Sequence, residues 1–323
     1  MRFSHSLTVL AIWATVASAA PRVDNVLLRM VPPGATSLVG AHMDQLTASD
    51  LYRKLTAQEK LPQLDEFASE TGFDPRRDVR EVLLVNGPQG SVLLARGKFN
   101  LKQDAASGLK LVRHGQYSIR VTDNSGFCIL DSTLAAAGEL PAVEAALDEW
   151  ARGTHAAAGP LLANVASLSG QTPLWGVSTG FAKFLADYLP RAGNGVDFSV
   201  IFRGIESSWF SASVESGFQA SIHCTTATEK DAMNLRDAAK GLIGIGRLSV
   251  PEGHPDLLRF WDGFTVDQDG RSFGLNADIA GNLIDEMVQL LSGPGGRGGR
   301  GGSGWGGRGG RGGSGGRGPR IPA

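Results

Sequence analysis

The chain has 323 residues, 42% hydrophobic and 20% charged, with a formal net charge of −1. This composition excludes a disordered or collagen-like protein, and the length predicts two domains or one large one, enough to bury a core without disulfide staples. The small net charge hides an asymmetry: residues 293–323 hold six arginines and no acid, so 25 basic and 32 acidic residues remain elsewhere, a body at −7 against a tail at +6.

Residues 1–19 read as a secretory signal peptide. Arg2 supplies the positive start, residues 7–16 form an apolar stretch too short to span a bilayer, and Ala17-Ser18-Ala19 is a small-residue cleavage site. The expected mature protein is exported, periplasmic or extracellular, with no transmembrane segment. Cys128 and Cys224 are the only cysteines. Both fall in strand-like segments, and buried free thiols are favoured over a disulfide.

After a short lead-in, Pro32-Pro33-Gly34 turns into a strand over residues 36–43. Ser49 is placed to cap a helix carrying Leu51 and Leu55. Leu61, Leu64 and Phe67 mark a second helical run, which Gly72 can end, and Asp74 before Pro75 starts a turn. Residues 79–85 and 91–99 flank Asn86-Gly87-Pro88-Gln89-Gly90 and predict a hairpin, with a helix over 100–106. Residues 117–122 alternate as a strand, Asp123-Asn124-Ser125-Gly126 turns into 127–130, and 133–137 adds another. Leu140, Val143, Leu147 and Trp150 define one helix face, with Pro141 tolerated in the first turn.

Residues 154–160 read as a linker, and the second half repeats the grammar. A strand over 172–178 precedes a helix with Phe181, Phe184, Leu185 and Tyr188. Strands are predicted over 198–203, 208–214 and 218–224. Thr228 caps a helix bearing Leu235, Ala238, Leu242 and Ile245 on its inner face. Asp267-Gln268-Asp269-Gly270 joins a final hairpin, and a last helix carries Leu283, Ile284, Met287, Val288 and Leu291.

Residues 33–43 align without a gap to 169–179, matching Gly34 to Gly170, Thr36 to Thr172, Leu38 to Leu174 and Gly40 to Gly176. The predicted fold class is therefore α+β: two repeated β-α-β-β-α-β units of the split βαβ, ferredoxin-like order, with antiparallel sheets. The expected organisation is a signal peptide (1–19), a first repeat (20–153), a linker (154–160), a second repeat (161–291) and a disordered Gly/Arg-rich tail (292–323).

Thr71-Gly72-Phe73-Asp74-Pro75-Arg76-Arg77-Asp78, with Glu81-Val82-Leu83, Met30-Val31-Pro32-Pro33 and Ala95-Arg96-Gly97-Lys98-Phe99, resembles a group of uncharacterised secreted bacterial proteins of acidobacterial type. The resemblance covers the signal peptide and most of residues 24–150. It implies export and brings no assigned activity, so no catalytic residues carry over.

Gly176-Val177-Ser178-Thr179-Gly180 fits the nucleophile-elbow pattern between a predicted strand and a predicted helix, with His223 or His254 and Asp231 downstream. Ser178 is thus a candidate nucleophile. A structural turn is the favoured reading, because the hairpins are antiparallel and the repeat itself accounts for Gly176. His42, His114, His155, His223 and His254 form no ligand pattern, and Asp267 and Asp269 lack the third acid of a calcium loop, so no metal or cofactor is expected. Gly244-Ile245-Gly246 lacks the third glycine of a dinucleotide loop. Arg76 and Arg77 beside Asp74 and Asp78 read as a surface charge network before an anion site.

Arg297, Arg300, Trp305, Arg308, Arg311, Arg317 and Arg320 are the candidate polymer-binding residues of the tail, where arginine and an aromatic offer charge and stacking. For an exported protein, anionic envelope polymers or lipid head groups are the expected partners rather than nucleic acid. The sequence thus favours a non-enzymatic binding or envelope-associated module. Its rivals are a serine hydrolase using Ser178 and a binder of anionic polymer or nucleic acid acting through the tail.

Overall fold

The computed structural model describes residues 24–58, 74–99, 109–153, 161, 165, 168, 172–179, 202–215, 217–250 and 256–292. The expectations for the signal peptide, the helices over 61–70, 100–106 and 181–188, the linker 154–160, His155, His254 and the tail lie outside the described residues.

The fold is α+β, built on one antiparallel sheet of twelve strands with several helices. In chain order the strands are β1 (Ser37–His42), β2 (Val79–Gly87), β3 (Gly90–Gly97), β4 (Lys110–His114), β5 (Tyr117–Thr122), β6 (Ser125–Asp131), β7 (Leu134–Glu139), β8 (Leu174–Ser178), β9 (Ile205–Ser213), β10 (Gly217–Thr226), β11 (Phe264–Asp269) and β12 (Ser272–Ala280). Their order across the sheet is β11-β12-β10-β9-β8-β1-β2-β3-β7-β6-β5-β4. The helices are α1 (Asn25–Leu28), α2 (Met43–Ala48), α3 (Asp50–Gln58), α4 (Pro75–Asp78), α5 (Leu140–Arg152), α6 (Glu229–Leu248), α7 (Asp256–Asp262) and α8 (Gly281–Ser292).

Local chemistry explains the connections. Gly90 and Gly270 take positive φ at the β2–β3 and β11–β12 hairpins, and Asp123 does so between β5 and β6. Such φ values suit Gly and, among other residues, Asn and Asp best. Thr228 Oγ1 accepts the Asp231 N–H at the start of α6, and Ser49 Oγ accepts the Tyr52 N–H at the start of α3. Pro75 opens the single turn of α4, where its missing N–H costs nothing.

Three expectations are corrected. The first two strands of a split βαβ unit are separated by a third, whereas here β1 lies beside β2, and both halves share one sheet. In the described part of the strand expected over 198–203, Phe202 is helical and Arg203 lies in a turn, and β9 starts at Ile205. Finally, β4 is an additional edge strand; its Leu111 is exposed, so no apolar alternation announces it.

Cross-strand partners share a face and neighbours along a strand alternate, so the register follows each face through the sheet. On one face, Cys128, Ala136, Leu94 and Leu83 lead across Gly40 to Trp175. This face buries the main core against Leu27 and Met30 from the α1 region, Val143 and Leu147 of α5, and Leu161 and Val165. The same face then turns polar, with Ser211, Ser221 and Asn276 next in line. In β9 to β12 the apolar side is the opposite one, where Ile222, Cys224, Phe273 and Leu275 meet Leu235 and Ala239 of α6. The core therefore changes sides of the sheet between β8 and β9.

Candidate functional site: an apolar cavity beneath helix α6

Helix α6 presents Leu235, Ala238, Ala239, Leu242 and Ile243 to the sheet, a stripe at helical spacing. Ile205, Ile222, Cys224, Phe273 and Leu275 face it from the strands, with Phe202, Trp261 and Phe264 at the sides. Between them lies a cavity of about 450 Å³. The two alanines supply little volume opposite large aromatic rings, and close-packed interiors seldom leave voids of this size. Among the described residues, no charged, hydroxyl or amide side chain lines it. The Cys224 thiol does, and burial pushes its pKa up to about 12, which keeps it protonated and unreactive.

The helix that roofs the cavity is weakest at its C-terminal half. Gly246 admits the Trp261 indole, which would lie 2.3 Å from a Cβ at that position. Gly241 and Gly244 have open space where a Cβ would stand, so packing does not demand them, and each lowers helix stability by about 1 kcal/mol relative to alanine. Here the structure also departs from the expected inner face: Ile245 is 63% exposed and Leu242 54%. The void under Ala238 and Ala239 is the feature sequence reasoning missed, because alanines on an amphipathic stripe read as ordinary core.

Ser178 is the last residue of β8, paired with Ser37 on one side and Ser208 on the other. All three are buried, and Ser178 Oγ donates to the Thr36 carbonyl at 3.2 Å. Asn86 Nδ2 extends the row to Ser37, and Ser91 Oγ donates to Asn86 Oδ1. Ser178 thus belongs to a polar ladder crossing β3, β2, β1, β8 and β9. His223 stacks on Trp209 at 5.3 Å, and Asp231 is held by Thr228. Ser178→Ala is expected to cost about 1 kcal/mol in urea unfolding, with no labelling by a fluorophosphonate serine probe in the parent chain. Stoichiometric labelling lost in the variant would reinstate the nucleophile.

Arg76 grips Asp74 at 2.9 and 3.0 Å, and Arg77 grips Asp78 at 2.9 and 2.8 Å. The Arg76 guanidinium holds the Asp74 carboxyl below its ordinary value. The four residues neutralise one another, which favours the charge network expected there. Cys128 and Cys224 are buried free thiols, in separate apolar clusters. Among the described residues no group of His, Cys, Asp and Glu could hold a metal ion, and no helix is long and apolar enough to cross a membrane. The candidate polymer-binding residues Arg297 to Arg320 lie outside the described residues.

A second ionisable group, partly buried, sits near the start of β2, opposite His42 at the end of β1. Glu81 Oε1 accepts the Asp24 N–H at 3.0 Å, and Oε2 lies 3.9 Å from His42 Nδ1. Burial pushes the Glu81 carboxyl up to about 7; the Asp24 amide and Arg96 oppose this, and the charges of Asp24 and Asp44 reinforce it.

No protein-family model and no curated protein matches the chain. Among solved structures, the chain is similar to TP0453 in three crystal forms. Form I aligns with a TM-score of 0.45 and 9% identity over 84% of this chain and 99% of that one. Form IV gives 0.45 and 9% over 80% and 95%, and form III gives 0.49 and 8% over 82% and 98%.

Proposed function

We infer that this is an exported, non-enzymatic binding protein of the bacterial envelope, and that it takes an apolar chain or ring into the cavity beneath α6. The observation that carries this reading is the lining: about 450 Å³, open on one side, with only apolar side chains and the Cys224 thiol among the described residues. Ligand pockets fall in the range of about 300–1,000 Å³, and polar lining groups are what orient a polar ligand. A wholly apolar wall selects hydrocarbon. The signal-peptide pattern of residues 1–19 supports export, and the cationic residues 293–323 add a salt-sensitive attraction to anionic polymers or head groups.

The test is titration of the full chain with a monomeric fluorescent fatty acid. Saturable uptake at micromolar concentration or tighter is expected. Ala239→Phe, which puts a ring into the void, should weaken uptake at least tenfold with the thermal midpoint kept or raised; Ala238→Leu is the milder companion. No uptake by the parent chain, or uptake unchanged in both variants, would refute the reading.

The duplication belongs to the same reading. Outward from the centre the strands run β1-β2-β3-β7-β6 in one direction and β8-β9-β10-β12-β11 in the other, which supports two copies of one unit. The expected residue alignment does not fit: Gly40 pairs with Trp175 and Gly176 with Phe210, on opposite faces, so two copies of one unit would have to correspond with an odd shift from it.

A further inference from the structure

We propose that the C-terminal half of α6 is the surface through which the protein sits on a lipid layer, and that hydrocarbon reaches the cavity there. This rests on the cavity being a ligand site. Leu242, Ile245 and Leu248 are 54%, 63% and 89% exposed. Successive residues at this spacing step back by about 60° around the helix, so the three spread over a broad convex face, with the open position Gly241 within it and Gly244 at its edge. A convex apolar stripe can seat in the groove of a partner protein or lie in a fluid acyl layer. Lys240 and Arg247 lie on the side of the helix away from the stripe, where Arg247 pairs with Asp262.

Continuity with the cavity decides the occupant. Leu242 is at once a lining residue and part of the exposed stripe, so the cavity meets the outside at the apolar face itself. A wall that takes hydrocarbon then opens onto the one environment that supplies hydrocarbon chains in bulk. The glycine-weakened turns are those that would have to lift for a chain to pass.

The experiment is co-sedimentation of the full chain with pure phosphatidylcholine vesicles at about 1 M salt, where charges are screened beyond about 3 Å. Neutral lipid and high salt remove the contribution of the cationic tail. The parent chain should sediment with the vesicles, and Ile245→Glu and Leu248→Glu should each weaken association at least tenfold. Neither side chain lines the cavity, so both variants should still take up the monomeric fluorescent fatty acid. Association unchanged in both variants, or none by the parent chain, overturns the proposal while leaving the cavity reading to its own titration. Conversely, stripe-dependent association by a chain that takes up no fatty acid would refute the cavity as a ligand site, and with it the passage of hydrocarbon through this surface.

Discussion

Gly40→Ala is expected to destabilise the protein by about 2–3 kcal/mol, although it adds a single methyl group. A Cβ at this position would lie 2.3 Å from the Trp175 indole, a distance that forces something to move. Trp175 has little room to do so. It is 1% exposed, sits across from Gly40 on the neighbouring strand β8, and belongs to the main core. Trp175→Ala should cost about 3–5 kcal/mol through the cavity it leaves. In the double variant the clash disappears, so the two costs should fall short of adding by about 1–3 kcal/mol. Urea unfolding of the three variants measures this directly. A neutral Gly40→Ala would mean that the ring does not lie over β1.

Stability should decline as pH rises from about 4.5 to about 7, because of Glu81. Its carboxyl titrates at about 7 in the folded chain against an ordinary value of 4.5. Between these values the unfolded chain has released the proton and the folded chain still holds it. The unfolded state therefore binds fewer protons, and stability falls with pH. The contribution is complete below 4.5, declines through the interval and stays flat above 7. At about 1.4 kcal/mol per pH unit the interval sets a ceiling of about 3 kcal/mol, which the 13% side-chain exposure of Glu81 reduces. The groups facing Glu81 are His42, Asp24, Asp44 and Arg96. Glu81→Gln keeps the shape, removes the proton and should flatten this part of the profile while raising stability at pH 8. An unchanged slope in the variant would assign it to another group.

What was legible in the sequence is what short-range chemistry decides. The turn residues Asn86 to Gly90 and Asp267 to Gly270 announced their hairpins, and Thr228 announced the start of α6, because each effect acts within a few residues. The order of strands was not legible. The pairing of β1 with β8 joins residues 37–41 to 174–178, and no local signal records such a distance. Nor was the site. Ile245 continues the apolar spacing of Leu235, Ala238 and Leu242, so periodicity places it inside; only the three-dimensional course of the helix shows that it faces out. Ser178 shows why the flanks of a motif do not decide its role: the sequence favoured a structural reading, and the residue stands in a row of buried serines.

The change of side between β8 and β9 has a consequence for cooperativity. Hydrogen bonds run without interruption from β11 to β4, yet the apolar contacts do not: one cluster forms around β1, α1 and α5, and others around β10, β12, α6 and α8. Side-chain packing, more than the backbone ladder, sets how large a region opens at once. The boundary is crossed by pairs such as Val177 with Trp209 and Gly176 with Phe210. The half of the sheet carrying α6 is therefore expected to exchange its amide protons sooner than the half around β1. Hydrogen exchange should find amides of β10, β12 and α6 opening while those of β1, β2 and β3 stay protected; uniform protection across the sheet would argue against this.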